Sequence, residues 1–499
     1  MRKLLRRFAP GLAILLLLVS TLAFFSATPA LAAPAFAFTN FELGDFNAPG
    51  APGTVCPQST QNPACTNTAA EPAIRANPAG NFFASSEHGL GNGTDAWRSS
   101  DGGLHYTTLV SPNAVSQSNT TGFAPGGGDT DLAVAPVKNS AGNYNVYVAS
   151  LNLASVDVST STDNGTTWSL NPTSATVPGD DREWIAADGA SKVCISYHDE
   201  ATGNIDVNCS TNAGATFTQL GEAIDNNHSF ALNAVGGNSI GNLMIDPTTH
   251  TIYQTFSSVD SGDTTACTAL MSPCSPHVVY MAVSTDGGKT FTDHTVYDNP
   301  DRTVSYGHQF VNVSIDKAGN VYSVYSDNHN LFYSFSTTHG TSWSAPVQVN
   351  QSPSATAIFP WSVANSAGHL DIVWYGTSFF QSGTPPDSYP ASAAWYVYMA
   401  QDLHATKAGS SFTQVQATPI VHFGGVCESG VTCSGNRDLF DDFGVAANPL
   451  TGLASIVYSD DQYTNDVNDP PRSGCTASTS NSSSCDHTSI ATQTSGPGI

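Results

Sequence analysis

The chain has 499 residues and a formal net charge of −25, from 40 acidic and 15 basic residues. A surface of that sign repels phosphate backbones and anionic headgroups, which excludes nucleic acid and charged membranes as partners. Charged residues are only 11% of the chain while glycine alone contributes 43, a composition that suits a turn-rich β protein.

At the start, Arg2, Lys3, Arg6 and Arg7 precede an apolar run from Leu12 to Phe25 and then Ala30-Leu31-Ala32. A basic start, an apolar core shorter than a membrane span and an Ala-x-Ala site read as a secretory signal peptide over 1–33, with an uncleaved anchor as the alternative. The expectation is a secreted, monomeric protein whose residues 34–499 form one domain. Ten cysteines fall into five local pairs: Cys56 with Cys65, Cys194 with Cys209, Cys267 with Cys274, Cys427 with Cys433, and Cys475 with Cys485. An even count of near neighbours suits loop-closing disulfides made in an oxidising compartment. None has the paired Cys-x-x-Cys spacing of a zinc site.

Seven short, partly continuous apolar strands follow, each ending in a turn: EPAIRANP from Glu71, DTDLAVAP from Asp129, DREWIAAD from Asp181, IGNLMIDP from Ile240, FVNVSIDK from Phe310, FPWSVANS from Phe359 and DFGVAANP from Asp442. Apolar character on both faces predicts inner strands covered by neighbours on each side. After each comes a second β-rich run, such as KVCISYHD or HLDIVWYG, and in most units a third, such as VVYMAVSTD. Four-stranded antiparallel units repeated seven times predict an all-β propeller of seven blades, with six as the alternative. The last unit has only three candidate strands, so FAFTNFEL from Phe36 to Leu43 is predicted to supply its outer strand and close the ring.

Five octapeptides lie between the third and fourth strands. STDNGTTW (Ser161 to Trp168) and STDGGKTF (Ser284 to Phe291) are intact; SSDGGLHY, STNAGATF and STTHGTSW end at Tyr106, Phe217 and Trp343. Glycine at the fifth place allows positive φ, the third-place carboxylate can accept bonds from the turn amides, and the closing aromatic packs inward. These octapeptides resemble the Asp-box, or BNR repeat, of the sialidase superfamily. The resemblance implies a secreted, sialidase-like β-propeller that engages an extracellular glycan or glycoprotein at its channel mouth, and an exo-acting glycoside hydrolase if it is catalytic. A non-catalytic glycan- or protein-binding propeller is the alternative, and a neutral-polysaccharide hydrolase using paired carboxylates is a third reading.

Aligned on their entry turns, four of the seven strands place Glu71, Asp129, Asp181 and Asp442 at one step, with Asp131, Glu183 and Asp441 beside them. The opposite arc is apolar, with Phe359, Trp361 and His308 as candidate contacts for the C–H face of a sugar. Asp129, Asp181 and Asp442 are candidate proton donors. Sialidases hold a substrate carboxylate with three arginines, and the resemblance points to Arg75, Arg182, Arg302 and Arg437 for that role. Their tyrosine nucleophile points to Tyr458, while Glu71 and Glu183 are candidate substrate contacts and no glutamate falls beside a tyrosine in the sequence. No histidine spacing suggests a transition metal, so no cofactor is expected beyond structural calcium at Asp129/Asp131 or Asp441/Asp442.

Overall fold

The computed structural model describes residues 35–45, 52–57, 64–113, 126–152, 155–175, 180–232, 238–263, 275–307, 310–430, 433–441, 443–465, 468–471, 474–475 and 484–499. Their inner strands are Ala70–Ala76, Thr130–Lys138, Asp180–Asp188, Asn238–Ile245, Asn312–Ile315, Thr356–Ala364 and Gly444–Ala447, which define blades 1 to 7. Every one falls on an apolar stretch singled out in the sequence. Each packs on the next, and the strand of blade 7 packs on that of blade 1, so the seven antiparallel sheets close into a β-propeller. Blades 1 and 6 carry a fifth strand, Val55–Pro57 and His422–Phe423.

Ring closure follows the sequence expectation. Ala37–Glu42 pairs antiparallel with His487–Ser495, Phe41 opposite Ile490, and so becomes the outer strand of blade 7. Phe41 is fully buried there, against Tyr106 of blade 1. Aromatic and branched side chains fill the seams between blades: Tyr147, Ile195 and Tyr197 between blades 2 and 3, Tyr322, Trp374 and Tyr398 between blades 5 and 6. Each such side chain contributes about 1.5–3 kcal/mol by leaving water.

Four of the five expected disulfides are formed. Cys194 and Cys209 sit directly opposite one another on adjacent strands of blade 3, with Cα atoms 4.0 Å apart. Cys267 and Cys274 lie outside the described residues. No described helix is long and apolar enough to cross a membrane.

The octapeptides do two jobs. In each, the first-place serine hydroxyl accepts a bond from the fifth-place glycine amide: Gly103, Gly165, Gly214, Gly288 and Gly340. Asp163 and Asp286 each accept two further amide bonds and a threonine hydroxyl from the same turn. Those turn hydrogen bonds hold the Asp286 carboxyl down at about 2 despite the opposing pull of partial desolvation. The same glycines also touch the preceding blade. A Cβ on Gly103 would lie 2.7 Å from Thr492 of blade 7, and one on Gly214 would lie 2.8 Å from Thr160 of blade 2. Both the positive φ and the blade contact therefore demand glycine.

Gly214→Ala is expected to lower the free energy of unfolding by about 1–3 kcal/mol, from a strained φ of 77° plus the crowding of the new Cβ against Thr160 of blade 2. Urea denaturation of the two proteins checks this; an unchanged midpoint would mean that the turn is not a seam element.

Candidate active site

The inner strands enter from one mouth of the channel, and four of them begin with a bulge. The ladder skips residues between Ala70 and Ala73, Asp181 and Glu183, Ile240 and Leu243, and Ile358 and Trp361. Three bulges hold a non-glycine residue at positive φ: Glu71 at 51°, Arg182 at 51° and Phe359 at 52°. Such backbone costs about 1–3 kcal/mol each and turns the side chain out of the strand's alternation. Pro72 and Pro360 follow two of them, where the bulge requires no ladder N–H.

Glu71 and Arg182 therefore meet at the channel. Arg182 Nη1 lies 3.6 Å from Glu71 Oε2 and 3.4 Å from Asp129 Oδ2. Its guanidinium is held between the rings of Trp184 and Phe310, at 4.4 and 4.3 Å from their centroids, an arrangement that rigidifies a planar cation. Arg437 reaches Glu71 Oε1 at 3.4 Å and Asp441 Oδ2 at 2.8 Å. Arg75 donates from Nη2 to both oxygens of Asp131, at 2.9 and 3.2 Å, and sits 5.4 Å over Trp361. Asp131 also accepts the amides of Leu132 and Ile185.

Carboxylates outnumber these cations. Glu71, Glu87, Asp129, Asp131, Asp181, Glu183 and Asp441 share the neighbourhood with three guanidiniums. Glu71, Glu87 and Asp129 each offer an oxygen within 4.8 Å of the other two. Burial is the main force that raises the Glu71 carboxyl well above the usual range, followed by the Asp129 and Glu87 charges, against which Arg182 pulls only partly. Burial and then Asp129 push Glu87 up to about 8. Glu183 is raised well above its usual value for the same two reasons, and its oxygens have no hydrogen-bond partner among the described residues. The cluster thus stores protons at neutral pH, the condition for a carboxylic acid to act as a donor.

Of the residues expected from sequence, the structure brings together Glu71, Asp129, Asp181, Glu183, Arg75, Arg182, Arg437 and Trp361. It separates two others. Arg302 pairs with Asp260 and Asp263 on blade 4. Tyr458 is fully buried in blade 7, its hydroxyl donating to Asn40 Oδ1 at 3.0 Å, and burial raises that hydroxyl further from ionisation. Asp442 and His308 lie outside the described residues. Two details of the alignment change. Arg182, not the exposed Asp181, takes the bulge position of Glu71, because the bulge of blade 3 is one residue shorter. Trp361 and Phe359 are buried, Trp361 against Trp184 at 5.2 Å, so neither offers an open face to a sugar. Glu87 was not singled out. It closes the second strand of blade 1 opposite Ala70, and its nearness to Glu71 depends on that register.

No protein-family model and no curated protein matches the chain. Among solved structures, an alpha-L-arabinanase from Penicillium chrysogenum is 11% identical over 92% of this chain and 98% of that one, with a TM-score of 0.43. A xyloglucanase from Xanthomonas campestris is 13% identical over 87% of this chain and 55% of that one, with a TM-score of 0.46. A Hadza microbial sialidase is 11% identical over 85% and 66%, with a TM-score of 0.41.

Between pH 5 and 8 the folded state keeps a proton on Glu87 that an unfolded chain, with its glutamates at about 4.5, has released. The folded state then binds more protons, so this group's contribution to stability is lost as pH rises through that window. Glu87→Gln is expected to shrink the fall in Tm between pH 5 and 8, read by calorimetry. An equal fall in both proteins would show that Glu87 is ionised throughout.

Proposed function

We propose that this protein is a carbohydrate-active propeller that hydrolyses a neutral glycan at the channel mouth, with Glu87 as proton donor and Asp129 as its facing carboxylate. The observation that carries this reading is the approach of Glu71, Glu87 and Asp129 to within 4.8 Å, with Glu87 pushed up to about 8. Glycoside cleavage needs one carboxyl that keeps its proton and another that does not, and a spacing of about 5 Å suits the retaining pathway. Arg182 Nη1 lies 3.4 Å from Asp129 Oδ2 and sets a positive charge beside the facing carboxylate.

The chemistry runs in two steps. Glu87 gives its proton to the glycosidic oxygen as the bond to the anomeric carbon breaks, while Asp129 forms a bond to that carbon from the other face. A water then attacks the same carbon, losing a proton to the Glu87 carboxylate, and Asp129 leaves. Glu71 stays buried between Arg182 and Arg437 and positions both.

The charge balance favours a neutral sugar over an anionic one. Arg75, Arg182 and Arg437 are each already engaged by a carboxylate, so holding a substrate carboxylate would require displacing those partners. The excess negative charge would repel it as well. Four described disulfides and the absence of a described membrane-crossing helix fit a protein that meets its glycan outside the cell.

A second reading, a non-catalytic glycan- or protein-binding propeller, draws on Phe380. That ring is 50% exposed beside His329, in the turn between the second and third strands of blade 6. An exposed aromatic on this face suits a stacking contact that needs no catalysis.

Assays on neutral aryl glycosides alongside a sialoside separate the readings. Hydrolysis of a neutral substrate is expected, with Glu87→Gln lowering kcat by about 10²–10⁴-fold while the variant still binds glycan. Binding without hydrolysis would favour the second reading. Sialoside hydrolysis that is lost in Arg437→Ala would overturn the neutral-sugar assignment.

A further inference from the structure

A second charged cluster lies on the mouth face of blade 4, apart from the channel. Asp260 and Asp263 follow the second strand, Ile252–Ser258; His277 precedes the third, Val278–Ser284; Asp298 ends the fourth, Thr292–Asp298. We propose that these four side chains form a binding site for a divalent transition cation of the zinc type, independent of the glycan reading.

Three observations support the assignment. The first is the orientation of His277. Its side chain is fully buried, and Nδ1 lies 3.1 Å from the Ser275 carbonyl, which makes Nδ1 the donor nitrogen. A neutral ring then turns the Nε2 lone pair towards Asp298 Oδ1 at 3.5 Å, Asp263 Oδ2 at 3.6 Å and Asp260 Oδ2 at 4.0 Å. Nε2 has no hydrogen-bond partner among the described residues. A lone pair facing three carboxylates is repulsive unless a cation lies between them. Histidine ligands in metal sites are held in this way, by donating their other nitrogen to a backbone carbonyl.

Spacing is the second observation. Tetrahedral zinc with bonds of about 2.0–2.2 Å places its ligands roughly 3.3–3.6 Å apart. The three histidine–carboxylate separations need only a small contraction to match, and Asp260, Asp263 and His277 each offer a ligand atom within 4.8 Å of the other two. One nitrogen with carboxylate oxygens is also a donor set that suits zinc or manganese.

Charge is the third. Arg302 binds Asp263 through Nη1 and Asp260 through both guanidinium nitrogens, at 3.1 and 2.6 Å. One guanidinium against three carboxylates leaves two negative charges, which a divalent cation would neutralise. The buried pair of His422 and Asp461 differs, because His422 engages both ring nitrogens, with Asp461 Oδ2 and the Gly425 carbonyl. A bound metal would tie the second, third and fourth strands of blade 4 together at the mouth face.

The test is isothermal titration of Zn²⁺ into the chelator-treated full mature protein, with metal content checked by elemental analysis. One saturable equivalent is expected, weakened at least tenfold in His277→Ala and in Asp298→Asn. Asp298 is half exposed, so the second variant keeps the fold if the first does not. Absence of saturable binding would overturn the proposal. Binding undiminished in a folded variant would overturn it equally, by placing the metal elsewhere.

Discussion

A carboxylate removed from water either finds a cation or takes up a proton, and the channel mouth obeys that constraint in both ways. Asp131 finds Arg75 and two backbone amides. Glu71 shares Arg182 and Arg437 with other acids and holds a proton as well. Glu87 and Glu183, left with less cationic charge, are held in the protonated form chiefly by burial. A catalytic acid needs no separate device in such a place, since the shortage of cations supplies it.

The propeller makes this shortage possible. Closing seven blades around an axis forces their inner strands to converge, and the mouth collects whatever residues stand at the strand entries. The seams bear the cost of bulges at Glu71, Arg182 and Phe359, because each blade is fixed by its neighbours on both sides. Octapeptide turns contribute to that fixing from the opposite rim, where their glycines press against the preceding blade. Rigidity at the rim and strain at the mouth are thus parts of one arrangement.

Much of the fold is legible in the sequence, for local reasons. An inner strand buried on both faces shows as an apolar run, and an octapeptide turn carries its own stapling groups. The closing strand was readable because the last blade lacked one. At the site, local pattern reaches less far. Nothing in DREW shows that Arg182 rather than Asp181 takes the left-handed position, since neither is glycine. Glu87 depends on a hairpin register, and Tyr458 looks like any tyrosine of a second strand until its burial against Asn40 is seen. Arg302 meets Asp260 and Asp263 across 42 and 39 positions of sequence, a pairing that no local pattern marks. His277 comes beside three carboxylates without any of the short spacings that announce a metal site.

The central claim is that glutamates at the mouth keep their protons at neutral pH. It is tested most directly by a ¹³C NMR titration of the protein labelled at the glutamate side-chain carboxyls. The chain has seven glutamates, Glu42, Glu71, Glu87, Glu183, Glu200, Glu222 and Glu428, few enough to assign by substitution. The account predicts that Glu71 and Glu183 titrate well above the ordinary glutamate range and that Glu87 titrates near 8. Titration of all three between pH 4 and 5, about the ordinary glutamate range, would contradict it.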